Sequence, residues 1–73
     1  MDEIATKLIE IIQKITDIEV SLDSSLLDDL SVDSLGLLLL ISRIEEEFKV
    51  KIPEEMVEDF DTVNDIYSFI ISK

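Results

Sequence analysis

The sequence predicts an all-α fold, a small antiparallel four-helix bundle of three main helices and one short helix, in a single domain over residues 1–73. Apolar residues recur at helical spacing in three segments. The chain has only one glycine and one proline, which leaves little material for β-hairpin turns. Because helices of 11–15 residues are marginal in isolation, packing of the apolar stripes must hold them.

The first helix is predicted over residues 2–15, with Asp2 as its N-cap. Residues 16–33 show no sustained period and are rich in turn-forming Asp and Ser, so they predict a long loop, which in a small domain is usually functional. Scattered apolar residues should pin this loop to the core: Ile18, Val20, Leu22, Leu26, Leu27 and Leu30.

The second helix is predicted from Ser34 to Phe48, capped by Asp33. Its buried stripe is expected to contain Leu38, Ile41, Ile44 and Phe48, widened by Leu35 and Leu40. Residues 49–52 alternate between basic and apolar side chains, as in a β-strand, but the sequence offers no second strand with which it could pair. A short helix over 54–59 should follow Pro53, and a last helix over 62–72 should begin with a Thr62–Asp65 capping box. Its buried face is Val63, Ile66, Phe69 and Ile70.

The side-chain inventory excludes several chemistries. The chain has no cysteine and no histidine, so Ser–His–Asp and Cys–His catalysis, zinc-protease chemistry and thiolate metal sites are ruled out. No acidic cluster has the spacing of a calcium loop, and we expect no metal site. The remaining acid–base groups are carboxylates, lysines and one tyrosine, so the sequence does not predict an enzyme.

The charge is strongly negative: 18 acids against 6 bases give a net charge of −12. Such a chain repels nucleic acid and anionic membranes, whereas a basic protein surface complements it. The N-terminus lacks the basic residues of a signal peptide, and the longest unbroken apolar run is only Leu37 to Ile41. We therefore expect a cytoplasmic monomer that does not insert into membranes.

Ser34 is the candidate functional residue. It lies at the predicted start of the second helix, where backbone N–H groups and the helix dipole favour an anion such as a phosphodiester. The local features alone leave open the simpler interpretation that Ser34 is only a small residue at a helix start.

A set of short motifs around Ser34 resembles the acyl carrier protein family. Asp33-Ser34-Leu35 is preceded by Leu27-Asp28-Asp29-Leu30 and followed by Glu45-Glu46-Glu47-Phe48 and Ile52-Pro53-Glu54-Glu55, at the spacing of that family. The resemblance implies that 4′-phosphopantetheine from coenzyme A is attached to Ser34 by a phosphopantetheinyl transferase. It also implies partners that load and process acyl groups held as thioesters on the thiol of this arm. Because the chain has no cysteine, such a thiol must come from a group attached to it.

The resemblance also assigns contacts with partner proteins. Asp33 would contact the transferase, although capping alone explains it equally well, and Leu35 would lie beside the arm and meet partners, unless it is simply partly buried. Acyl chains would lie between the second and third helices. The lining candidates are Leu38, Ile41, Ser42, Ile52, Val57 and Phe60.

The second helix departs from the family pattern. Ser31 stands where Gly is frequent, and Gly36 and Leu39 stand where many fatty-acid carriers have acids. Leu37 and Leu39 are therefore expected to be exposed as an apolar docking patch, unless one of them packs under the long loop.

Three functions remain open. The first is an acyl carrier for fatty-acid or related biosynthesis. The second, which Gly36 and the neutral second helix favour, is a specialised carrier for D-alanine, an amino acid or a polyketide intermediate. The third, from another class, is an unmodified acidic helical module that binds a basic protein and gains no mass from coenzyme A.

Overall fold

The fold is the predicted all-α bundle. The computed structural model describes residues 2–72, and the helices are α1 (Glu3–Thr16), α2 (Ser34–Phe48), α3 (Glu54–Val57) and α4 (Val63–Ile71). Helix α1 packs against both α2 and α4. Between residues 2 and 72 no helix is long and apolar enough to cross a membrane.

Local capping sets the helix starts at or next to the predicted positions. The Asp2 carboxylate accepts the N–H of Ala5 at 2.8 Å. Thr62 and Asp65 form the predicted capping box at the start of α4. The N–H groups of Asp61 and Thr62 lower the pKa of Asp65, because they stabilise its charged form.

Helix α3 is shorter than predicted and ends at Val57 instead of continuing to residue 59. The N–H of Asp59 reaches the carbonyl of Met56, and the N–H of Phe60 reaches the carbonyl of Val57. These bonds span three residues and tighten the backbone into turns, which ends the α-helix.

Residues 49–52 do not form a strand, and the single β-bridge among residues 2–72 joins Ser25 to Thr62. Lys49 takes a left-handed conformation at the C-terminus of α2. The Glu45 carboxylate then accepts the N–H of Ile52 at 2.8 Å. This side chain supplies the hydrogen-bond acceptor that a neighbouring strand would have given.

The long loop over residues 17–33 is anchored as predicted, but by fewer side chains. Val20, Leu26 and Leu30 are buried, whereas Ile18 and Leu27 are 40% and 68% exposed, so the prediction was wrong for those two. The loop backbone also bonds to the start of α4: Leu26 N–H donates to the carbonyl of Asp61. These bonds fix the loop that leads into α2.

The buried face of α2 differs from the predicted one. Leu40, Ile41 and Ile44 are buried, but Leu35 and Leu38 are 69% and 51% exposed, and Phe48 is only partly buried. Residues 37–40 are four consecutive leucines, and no polar residue among them marks which side faces solvent. Packing against α1 and the loop therefore decides the rotation of α2.

A contact between the two ends of the chain closes the bundle. The Tyr67 hydroxyl on α4 donates a hydrogen bond to the Asp2 carboxylate at the start of α1. This bond is the main cause that lowers the pKa of Asp2 and raises the pKa of Tyr67. Both shifts arise because the hydrogen bond stabilises the charged carboxylate of Asp2 and the protonated hydroxyl of Tyr67.

Candidate functional site

Ser34 is exposed and is the first residue of α2. Asp33 takes the extended backbone of an N-cap, and its carboxylate accepts the N–H of Gly36 at 2.8 Å. The N–H groups of Ser34 and Leu35, in the first turn, have no intrahelical acceptor because of their position. The Ser34 hydroxyl thus lies in the positive field of a well-capped helix start.

The segment before Ser34 contains a strained residue. Ser31 has a left-handed φ of 54°, a conformation that costs a non-glycine residue about 1–2 kcal/mol. A glycine at position 31 would take this conformation without that cost, because it has no Cβ atom. The N–H of Val32 donates to the carbonyl of Leu26 at 2.8 Å and keeps the turn closed despite this strain.

Gly36 has a local role that the sequence did not reveal. A Cβ atom added at this position would lie 3.2 Å from the Asp33 Oδ1 atom and 3.6 Å from the Val32 side chain. Because 3.2 Å is tighter than ordinary contact, a larger residue would press on the capping carboxylate. Gly36 therefore leaves room for the cap that fixes the start of α2.

Two grooves meet at Ser34. The first, of about 500 Å³, lies between the long loop and α2. The second, of about 510 Å³, lies between α2 and α3. Leu37 and Phe60 line both. A flexible arm attached to the Ser34 hydroxyl could enter either groove, so the geometry fits a phosphopantetheine group.

The groove between α2 and α3 contains half of the predicted acyl-chain lining. Leu38, Val57 and Phe60 line it, together with Glu54 and Glu58 at its edge. Ile41 and Ile52 are buried in the core, and Ser42 is exposed outside the groove, so a contact of these three with an acyl chain stays a prediction.

The four predicted partner-binding residues differ in accessibility. Asp33 is exposed, and Leu35 and Leu39 are 69% and 63% exposed. Leu37 is only partly exposed and packs against the core, so the expected exposure of this residue was wrong. The alternative that one of the two leucines packs under the loop stays a prediction, since Leu37 lines the open groove between the loop and α2.

The electrostatic surroundings of Ser34 are negative. Within residues 2–72, no lysine or arginine lines either groove, whereas Asp28, Asp33, Glu54 and Glu58 do. The ion pairs found among residues 2–72 lie at the other end of α2, where Lys7 and Arg43 approach Glu47 at 3.5 and 3.9 Å. Carboxylates, and no ammonium or guanidinium group of the described residues, therefore surround the Ser34 hydroxyl.

Comparison with protein families and known proteins agrees with this geometry. The family model described as "Phosphopantetheine attachment site" matches residues 6–70. An acyl carrier protein of Treponema pallidum (strain Nichols) is 40% identical over 76 residues, which cover 100% of this chain and 97% of the relative. An acyl carrier protein of Renibacterium salmoninarum is 39% identical over 74 residues, which cover 97% of this chain and 91% of the relative.

Solved structures show the same fold. A structure attributed to an acyl carrier protein of Mycobacterium tuberculosis superposes with a TM-score of 0.88 at 30% identity and covers 94% of this chain and 96% of its own. An acyl carrier protein of Thermotoga maritima gives a TM-score of 0.76 at 24% identity, over 93% of this chain and 82% of its own, which supports the fold alone. The chain therefore belongs to the acyl carrier protein family, whose members hold a covalently attached phosphopantetheine group and act as carriers, not as catalysts.

Proposed function

We propose that Ser34 is the residue to which 4′-phosphopantetheine is attached. The observation that carries this proposal is the position of the Ser34 hydroxyl, exposed at the capped start of α2 where two grooves meet. When bound, the group supplies a terminal thiol that holds cargo as a thioester. The chain has no cysteine and thus no thiol of its own.

In this function the protein presents the hydroxyl, and a separate transferase must activate it. The Asp33 carboxylate is engaged by the N–H of Gly36, which fixes the helix start and the position of Ser34. The two grooves offer the arm a path along the protein surface away from Ser34.

The cargo that we propose is an acyl group of fatty-acid or related biosynthesis, carried in the cytoplasm. The apolar lining by Leu38, Val57 and Phe60 supports an acyl chain. A specialised carrier for D-alanine, an amino acid or a polyketide intermediate is the second candidate. The uncharged stretch from Ser34 to Ser42 favours it, since this stretch offers no acids to a basic enzyme surface.

We also propose that Asp33, Leu35, Leu37 and Leu39 contact the transferase and the enzymes that load and process cargo. Asp33, Leu35 and Leu39 are exposed within six residues of Ser34. Leu37 lines both grooves and would contact the arm or a partner inserted beside it.

Incubation with coenzyme A, magnesium and a broad-specificity phosphopantetheinyl transferase tests the attachment. We expect intact-mass spectrometry to show the gain of one phosphopantetheinyl group on the wild-type protein and no gain on Ser34→Ala. Ser42→Ala, which removes another exposed hydroxyl of α2, is the matched control and should be modified fully. A mass gain on Ser34→Ala would contradict the assignment, and no gain on the wild type would favour the unmodified interaction module.

Two substitutions of Asp33 separate its capping role from contact with the transferase. Asp33→Ala removes the cap and should cost about 1 kcal/mol of unfolding free energy, whereas Asp33→Asn keeps a capping oxygen and should cost only a few tenths. If the charge contacts the transferase, Asp33→Asn should still lower kcat/KM for modification several-fold. Urea melts and transferase kinetics measure both effects. Modification of Asp33→Asn at the wild-type rate would leave Asp33 only the capping role.

A further inference from the structure

The groove between the long loop and α2, called the loop groove below, has a wall that is fixed by backbone pairing. Ser25 and Thr62 form a β-bridge, in which the N–H of Leu26 donates to the carbonyl of Asp61 at 2.9 Å. The N–H of Val32 donates to the carbonyl of Leu26 at 2.8 Å and closes the loop on its other side. The wall of the loop groove is therefore already in place before any group enters it.

The groove between α2 and α3, called the α3 groove below, has a wall that is held less firmly. Helix α3 has only four residues, and no side chain caps its start at Pro53. The N–H groups of residues 56–60 donate only to carbonyls within residues 53–57, so these bonds do not connect α3 to another part of the chain. Side-chain packing, with Val57 only 6% exposed, holds this short helix in place. The α3 groove can therefore widen more easily than the loop groove.

The loop groove combines hydrogen-bond acceptors with apolar surface. Asp28 and Asp61 line it, and within residues 2–72 neither carboxylate makes a hydrogen bond or an ion pair with another protein group. Leu26, Leu27 and Val32 supply apolar atoms to the same lining. The volume of about 500 Å³ lies within the range of about 300–1,000 Å³ that is typical of sites for small organic molecules.

Resting on the proposed attachment at Ser34, we propose that the loop groove is the resting site of the unloaded phosphopantetheine arm. Asp28 and Asp61 accept hydrogen bonds from the amide N–H groups of the arm, and such bonds to a charged acceptor are stronger than those between neutral groups. The fixed wall favours this arrangement, because the arm has the same length and chemistry in every unloaded molecule and the acceptors need no rearrangement to bind it.

Loading with an apolar acyl chain transfers the arm from the loop groove to the α3 groove. Burial of an acyl chain against Leu38 and Val57 removes apolar area from water, which the unloaded arm cannot do to the same extent. The less firmly held wall adapts to chains of different length. Both grooves share Ser34, Leu37 and Phe60, so an arm attached to Ser34 reaches either one, and Leu37 and Phe60 separate the two positions.

Amide NMR spectra of the apo, holo and octanoyl forms of the full chain test the two positions. From the apo to the holo form, we expect larger shift changes at residues 25–28 and 61 than at residues 54–58. From the holo to the octanoyl form, the changes at residues 54–58 should be the larger ones, and the signals of residues 25–28 should return towards their apo positions. Holo shift changes confined to the immediate neighbours of Ser34, or larger at residues 54–58, would overturn the proposal.

A matched pair of double variants tests the two acceptors through the arm thiol. Asp28→Asn with Asp61→Asn removes both charges from the loop groove, whereas Asp23→Asn with Asp59→Asn removes two charges from exposed residues that line neither groove. In the holo proteins, the first variant should react about twofold faster with iodoacetamide, a neutral thiol reagent, as for an arm that is docked about half of the time in the wild type. The second should react at the wild-type rate, and equal rates for the two variants would refute the role of the acceptors.

Failure of this proposal is separable from failure of the proposed function. If the wild type gains no mass with coenzyme A and the transferase, attachment at Ser34 is wrong. If the wild type is modified at Ser34 but its holo spectrum shows no changes at residues 25–28 and 61, the attachment stands and only the resting site is wrong.

Discussion

Replacing Ile44 by Ala should lower the unfolding free energy by about 3 kcal/mol, within the usual range for removing a buried Ile side chain. Ile44 is fully buried on the face of α2 that turns towards the core, with Leu8 and Ile66 in the same core cluster. Truncation removes three carbon atoms and leaves a cavity that a small bundle can close only in part. For a domain of this size the loss corresponds to roughly 15 °C in melting temperature.

Leu39→Ala is the matched control, because Leu39 lies on the same helix five residues earlier but is 63% exposed. An exposed truncation of this kind should change the unfolding free energy by no more than about 0.5 kcal/mol. Urea is the appropriate denaturant, since guanidinium is itself a salt and would screen the net charge of −12. Comparable losses for the two variants would mean that the core is not centred on Ile44.

Added salt should stabilise the protein strongly, because its charges repel each other. The net charge is −12, and six uncompensated acids occur within residues 52–65 alone. The molecule is 27 Å across, which is comparable with the Debye length of about 30 Å at 10 mM salt and far above the length of about 3 Å at 1 M. We expect the melting temperature to rise by about 10 °C between these NaCl concentrations, equivalent to roughly 2 kcal/mol.

A triple variant with Glu54, Glu55 and Glu58 changed to Gln provides the control for this effect. All three residues are exposed, so their neutralisation should leave the core intact. The variant should melt at a higher temperature than the wild type at 10 mM NaCl and should respond less to added salt. Magnesium at millimolar concentration should act in the same direction as NaCl. A melting temperature that does not change with salt would show that repulsion does not limit stability.

The position of α2 and its start were predictable from the sequence because their determinants are local. Asp33 caps the N–H of Gly36 three residues away, and Asp2 and Asp65 cap their helices over the same short distance. Such bonds depend on residue type and spacing within one turn, which the sequence displays directly. The cap alone did not identify the candidate site, because an ordinary small residue at a helix start explains Ser34 equally well; the resemblance of the surrounding motifs to the acyl carrier protein family singled it out.

The rotation of α2 could not be predicted in the same way. In the run from Leu37 to Leu40 every position is equally apolar, so the pattern does not show which of these side chains face the core. The structure buries Leu40, packs Leu37 partly against the core and leaves Leu38 and Leu39 exposed. The same rotation brings Leu37 and Leu38 to the groove beside Ser34 and leaves Leu35 and Leu39 exposed to solvent.

The all-α class, the positions where the helices begin and the hydroxyl at the start of the second helix could be read from the sequence alone. Packing in three dimensions sets which leucines face solvent, how the loop bonds to the start of α4, and that the Glu45 carboxylate takes the place of a strand partner at Ile52. The physical reason is the distance along the sequence between the residues that interact. Caps act within one helical turn, whereas burial depends on surfaces that are brought together from distant segments.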